Sequence, residues 1–254
     1  MIPISPRSLA RILLMLVVTI VARAAETEPA VLAKARARLG SEAALEGLKT
    51  IHYVGTLTTA DPKDPTKQLQ AKVELSFQKP DRQLITATYE KFVETTALDA
   101  YEGWTRVQDS SDPANWRLTL LDPGQIKRLR ANTWESLAYF RGIGRIGGRV
   151  EDKGPVSVDC VACQKIAFIH EANIVFYRYF DVASGRLVLT ETESGGTHRE
   201  QGEIVAGGVR FPKALVTMAK NDDRTQTVTL NYEKVTVNET FPVNFFAVPA
   251  LSRK

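Results

Sequence analysis

The chain has 254 residues, with 33 Lys and Arg against 29 Asp and Glu. Arg7, Arg11 and Arg23 stand in the first 24 residues, which hold no acid, so the remaining 230 residues carry 30 bases against 29 acids. That near-neutral balance excludes a strongly basic surface for nucleic acid or an anionic membrane. Those residues suit a single domain, 25–254, and no second apolar stretch reaches the ~20 residues of a membrane span.

Arg7 and Arg11 precede the apolar run Ile12 to Val21, and Ala22-Arg23-Ala24 places small residues where a signal peptidase reads them. Residues 1–24 are therefore predicted to be a signal peptide cleaved after Ala24, leaving a soluble periplasmic product without a transmembrane anchor. From Glu28 to Lys49 the period is helical. Val31, Ala35 and Leu39 recur at steps of four, and Gly40-Ser41 separates a second short helix, with Ser41 as its N-cap.

The period then changes to two. Leu69, Ala71, Val73, Leu75 and Phe77 alternate with Gln70, Lys72, Glu74 and Ser76, which puts the apolar set on one face. Similar segments are read near Ile51–Thr58, Leu84–Phe92, Thr95–Tyr101, Trp104–Gln108 and Trp116–Leu121. Asp122-Pro123 then opens an amphipathic helix marked by Ile126, Leu129, Thr133, Leu137 and Phe140 and ending at Gly142. Strands resume over Arg145–Asp152, Cys163–His170, Ile174–Asp181, Arg186–Glu193, Thr197–Ile204, Ala214–Lys220 and Thr225–Val237. Turns rich in Gly, Asn and Asp join several of them, among them Val182–Gly185 and Asn221-Asp222-Asp223.

Antiparallel hairpins with one oily face must pack on a second layer or curl around something. The expected architecture is mainly β with a few helices: a curved antiparallel sheet, or incomplete barrel, of about eleven strands, with helices covering its concave side. Val73, Leu75, Phe77, Trp104, Leu118, Leu120, Phe168, Phe176, Leu187, Leu189 and Met218 fall on alternating positions of their strands and are expected to line that concave surface. A curled sheet filled only by short helices is hard to pack to native density, so an apolar ligand cavity is expected there.

Several chemistry-bearing patterns have plainer readings. Gly142-Ile-Gly-Arg-Ile-Gly147 matches a dinucleotide fingerprint in form, but it follows a helix and opens a strand, so it reads as a helix stop and connector. Cys160 and Cys163 lie between alternating segments. Their Cα atoms would be about 10 Å apart in a straight strand, so a disulfide needs a turn at Val161-Ala162; an oxidising compartment favours one. Two cysteines without neighbouring histidines leave a zinc site half built, and no metal or cofactor is expected. His52, His170 and His198 stand singly and read as strand-surface residues, as do Glu191, Glu193, Glu200 and Glu203. No nucleophile, base and orienting group can be assembled, so no enzymatic activity is expected.

The order of "IHYVGTLTT", "LDAYEGWTR", "LRANTWESLAYFRG", "CQKIAF", "YFDVASGRLVLTETE", "GGVRFPKALVTM" and "VNETFPVNFFAVP" resembles the LolA/LolB-like outer-membrane lipoprotein-sorting superfamily over nearly all of residues 25–254. The resemblance implies an incomplete antiparallel barrel whose hydrophobic side is covered by helices and holds acyl chains. Ile126, Leu129, Leu137 and Phe140 would then belong to a lid helix. The function so implied is an exported carrier of lipid or lipoprotein acyl chains. The alternative is a sensor or scaffold that uses the same fold to bind an envelope protein at a sheet edge.

Overall fold

The computed structural model of the chain describes residues 28–249 except 62, 63, 65, 222 and 223. The predicted signal peptide, and Asp222-Asp223 of one predicted turn, lie outside the described residues. Two helices come first, α1 (Ala30–Leu39) and α2 (Glu42–Gly47). Ser41 caps α2, its side chain accepting from the Ala44 amide. The stripe read from the sequence is only part of what α1 buries: Val31 and Ala35 are covered, and so are Leu32 and Arg36 one position further round.

Six strands follow: β1 (Thr50–Ala60), β2 (Gln68–Gln78), β3 (Arg82–Thr88), β4 (Phe92–Asp99), β5 (Glu102–Asp109) and β6 (Trp116–Leu120). Helix α3 (Pro123–Leu137) starts on the predicted cap, a reciprocal box in which Asp122 accepts from the Gln125 amide and Gln125 accepts from the Asp122 amide. It stops five residues short of Gly142. Tyr139 and Phe140 take left-handed φ values of 49° and 68°, which no continuing helix permits, and both rings turn inward and are buried. Gly142, itself left-handed, then opens a 3-10 turn over Ile143–Ile146, so the predicted strand at Arg145 begins only at Arg149.

The second half is a meander of β7 (Arg149–Val158), β8 (Val161–Glu171), β9 (Ile174–Asp181), β10 (Leu187–Thr192), β11 (Thr197–Ala206), β12 (Val209–Asn221) and β13 (Arg224–Val237). All strands join one antiparallel sheet in the order β6-β5-β4-β3-β2-β1-β13-β12-β11-β10-β9-β8-β7. Among the described residues the count is thirteen where about eleven were expected, because every alternating segment finds a partner. The sheet is open, with β6 and β7 as its edges, and is not closed into a barrel. Among the described residues no helix is long and apolar enough to cross a membrane.

Partners across an antiparallel ladder share a face, so register sorts the side chains. One row runs Tyr53, Leu75, Ile85, Thr96, Thr105, Thr119, and the next Phe77, Gln83, Leu98, Gly103. This inner face meets α3, which packs on β2, β3 and β4 and whose Thr133 hydroxyl donates to the buried Gln83 amide oxygen at 2.8 Å. Helix α1 packs on β9 and β12. There Gly185 (φ 72°) lets the Asp181–Gly185 turn touch α1 so closely that a Cβ would stand 2.7 Å from the Ala35 nitrogen.

Candidate functional site

A cavity of about 530 Å³ lies between the inner face of the sheet and the two longer helices. Helix α1 gives it Ala35, Arg38 and Leu39; α3 gives Asn132, Glu135 and Ser136; and the left-handed turn after α3 gives Tyr139 and Phe140. The sheet supplies the opposite wall. One half of that wall is aromatic. Tyr53 lies with its ring centroid 4.7 Å from Tyr232, 5.9 Å from Phe211 and 6.2 Å from Phe77, and all four side chains line the cavity. Burial pushes the phenols of Tyr53, Tyr139 and Tyr232 up, so they stay neutral hydroxyls.

The other half carries charge. Phe176, Arg178 and Phe180 alternate along β9 on one face, so an arginine stands in an otherwise apolar stripe. Its Nη1 donates to Oε2 of Glu135 on α3, and the second Glu135 oxygen lies 2.6 Å from Nε2 of His170 on β8. Side-chain exposure is 6% for Glu135, 8% for Arg178 and 7% for His170. An ion pair at this depth is costly to desolvate and costly to break. The Arg178 guanidinium also lies over the rings of Phe140 and Phe168, at 4.9 and 5.0 Å from their centroids.

Beside it the row Arg178, Thr190, His198, Thr217 crosses β9 to β12, with His198 Nδ1 2.9 Å from the Thr217 hydroxyl. Burial, and then the Arg178 charge, push the His198 imidazole down. Glu200, two residues along β11, is exposed into the cavity among close protein neighbours. Burial pushes its carboxyl up, against the pull of Arg178. Nearer the helices, Glu203 accepts from both Arg38 and Arg210. Arg36, buried on α1, donates from Nη1 to the Tyr139 carbonyl at 2.6 Å and from Nε to Glu42 at 2.8 Å, fixing the turn that carries Tyr139 into the cavity.

Of the residues expected on the concave surface, Val73, Leu75, Phe77, Phe168, Phe176 and Leu187 are on the inner face, and Leu75, Phe77, Phe176 and Leu187 line the cavity. Five are on the outer face. Leu118 shares a row with Glu74, and Leu120 a row with Trp104 and Ser76; Leu120 is 65% exposed. Trp104 is buried from outside, under the C-terminal segment, with its indole N–H donating to the Phe246 carbonyl at 3.1 Å. A bulge between Leu187 and Leu189 reverses the phase of β10, so Leu189 packs beside Tyr179 and Val188. Met218, next to inward Thr217, is 38% exposed.

On α3, Leu137 is buried in the core, Ile126 and Leu129 are half-buried, and Phe140 reaches the cavity from beyond the helix end. His170, His198 and Glu200 are not solvent-face residues, as the sequence suggested, but inner-face ones. Cys160 and Cys163 are unbridged. Asp159 and Cys160 form the left-handed two-residue turn between β7 and β8, which leaves Cys160 exposed, whereas Cys163 is buried against the outer-face cluster of Tyr179 and Val188.

The described residues thus form one open antiparallel sheet with few helices, and α1, α3 and the inner face of the sheet together line a cavity. Solved structures with the same arrangement include a LolA superfamily protein from Nitrosomonas europaea, at 11% identity, covering 86% of this chain and 96% of that one with a TM-score of 0.55. A candidate outer membrane lipoprotein-sorting protein domain from Vibrio parahaemolyticus matches at 10% identity over 85% and 95% of the two chains, TM-score 0.53. A DUF1329 family protein from Desulfovibrio piger matches at 7% identity over 85% and 95%, TM-score 0.53. No family model and no curated protein matches the sequence. The resemblance read from the order of motifs therefore holds at the level of the fold: this is a LolA-type fold.

Proposed function

We propose that the protein is an exported, periplasmic carrier that binds lipid or the acyl chains of a lipoprotein in this cavity and passes them on without covalent chemistry. The observation that carries the reading is the cavity itself, about 530 Å³ between sheet and helices, with Leu75, Phe77, Phe176, Leu187, Phe211 and Tyr232 among its walls. Burial of apolar surface is worth ~25 cal/mol per Å², so an acyl chain inserted there is held strongly. Helices α1 and α3 are the elements whose displacement would open it, and release would follow when their own apolar faces compete for the same walls.

The test is saturable binding of a fluorescent fatty-acid probe. Leu75→Gln, which sets an amide in the wall, is expected to abolish it, and Leu118→Gln, on the outer face, to leave it unchanged, with circular dichroism reporting the fold. Absence of saturable binding to the wild-type protein, or equal behaviour of the two variants, refutes the carrier reading. The alternative, a sensor or scaffold for an envelope protein, draws support from the two open edges of the sheet, β6 and β7, which present unpaired backbone groups for strand addition.

A further inference from the structure

Two residues that line the cavity each carry a buried hydrogen-bond donor without a partner among the described residues. Arg178 Nε is one, and the Tyr139 hydroxyl is the other. Each such group bears its full desolvation penalty when left unsatisfied in a protein interior, and most buried polar groups in native structures do find a partner. Here two do not, on residues that line a single cavity.

The state of the arginine narrows what could satisfy it. Glu135 occupies only Nη1, and among the described residues Nε and Nη2 make no hydrogen bond. The unused side of the guanidinium is thus the Nε/Nη2 edge, two parallel N–H groups spaced to fit two oxygens of one carboxylate or phosphate. Glu135 cannot turn to fill it. One of its oxygens already holds Nη1, and the other is taken by His170. Phe140 and Phe168 lie over the guanidinium with their rings, so its faces are occupied and the edge is the part left to bind.

Tyr139 is set in place at some expense. It and Phe140 hold left-handed backbone conformations that side-chain-bearing residues seldom adopt, and the Arg36 hydrogen bond to the Tyr139 carbonyl holds that turn. Strain of this kind persists where the surroundings over-determine it, and it clusters at ligand clamps. Glu200 is the one cavity carboxylate without a hydrogen bond or ion pair among the described residues, and its carboxyl is pushed up by desolvation against the pull of Arg178.

We propose that the charged half of the cavity is a headgroup site: it takes the carboxylate or phosphate of an anionic amphiphile on the free edge of Arg178, with the Tyr139 hydroxyl as a second donor, while the acyl chain lies along the aromatic half. The proposal rests on the carrier reading and adds to it the chemistry of the ligand's polar end.

Displacement of the fluorescent fatty-acid probe by laurate, dodecyl phosphate, methyl laurate, acetate and inorganic phosphate separates the two. Laurate and dodecyl phosphate are expected to compete at least about tenfold better than methyl laurate, the size of one charge-assisted hydrogen bond, and acetate and phosphate not at all. Arg178→Lys keeps a cation beside Glu135, which protects the fold, but lacks the second edge; Tyr139→Phe removes only the unpartnered hydroxyl. Each should cut the preference for the charged head over methyl laurate several-fold. If wild-type protein binds ester and acid alike, or if both variants keep the full preference, the headgroup site is wrong and the carrier reading stands. Displacement by free phosphate as effective as that by dodecyl phosphate overturns the amphiphile and leaves a plain anion site. Failure of every compound, and of the probe itself, to bind refutes the carrier reading, and the headgroup site with it.

Discussion

Arg36→Met is the sharpest test of how the cavity is held together. Arg36 is only 3% exposed, and its guanidinium ties three elements: α1 by covalent attachment, α2 through Glu42, and the turn after α3 through the Tyr139 carbonyl. Methionine keeps most of the stem's apolar packing, so the loss falls on the polar contacts. A hydrogen bond from a charged donor contributes ~1.5–3 kcal/mol. The Glu42 pair adds little, since Glu42 is more than half exposed and Arg141, at 3.0 Å, remains beside it. The expected loss is ~2–3 kcal/mol, which in a protein of this size lowers Tm by about 4–12 °C. Urea denaturation followed by circular dichroism reads it as a lower midpoint at unchanged slope.

Acid adds a second signature. The Arg36 hydrogen bond holds the Glu42 carboxyl below the usual carboxylate range. The associated stability is present above the ordinary value of 4.5 and is lost as pH falls through the lower folded value. Arg36→Met should flatten that acid limb. A loss below about 1 kcal/mol would refute the idea that one buried arginine fastens this corner.

Glu200→Gln should stabilise the protein at neutral pH: the raised carboxyl holds its proton more firmly in the folded state, so its share of stability is present below 4.5 and lost as pH rises through the folded value, and denaturation at pH 5 and pH 8 should show the wild-type slope absent in the variant. Trp104→Phe should cost ~1 kcal/mol for the lost bond to the Phe246 carbonyl, and Trp104→Ala ~3–5 kcal/mol, by urea denaturation; a neutral alanine variant would mean that the C-terminal segment does not cover β5. Brief alkylation without reductant should add one group to native protein, at exposed Cys160, and two after unfolding, because Cys163 is buried and its thiol is pushed up; intact mass showing no adduct after unfolding would reveal a bridge.

The sequence carried the phase within each strand but not the phase between strands. Leu75 and Leu118 both alternate with polar neighbours, yet they lie on opposite faces, because β6 pairs so that Thr119, not Leu118, continues the row of Leu75. Periodicity says which residues face together along one strand; only pairing says which side that is. A bulge does the same to Leu189, and nothing in "RLVLTETE" marks it. The early stop of α3 was hidden because Tyr139 and Phe140 are ordinary residues held in an unusual backbone by Arg36, far away in sequence. The buried arginine did leave a trace. In "FYRYF" the inward positions read Phe176, Arg178, Phe180, and a charge inside an oily stripe is the pattern that separates a polar cavity from a dry core.

The strand order also dictates how the chain can assemble. Every pairing in the described sheet joins neighbours in sequence except one, β1 with β13. The segments β1–β6 and β7–β13 can therefore each zip up as local hairpins, at small loop-closure cost, before that last seam brings the two ends of the domain together. The seam is a demanding one: the register shifts between Val54 and Gly55, and a Cβ at Gly55 would stand 2.0 Å from the Asn231 carbonyl oxygen. Gly55→Ala should thus slow a late refolding step while the early formation of hairpins proceeds unchanged, a separation that stopped-flow far-ultraviolet and tyrosine fluorescence signals can read on one sample. The α3 connection, which joins the two free edges, then becomes the place to cut: a circular permutant opened between β6 and β7 keeps both meanders whole and, by linking the β13 end of the chain to the β1 end, turns the β1–β13 seam into a pairing of sequence neighbours, which should remove the late step.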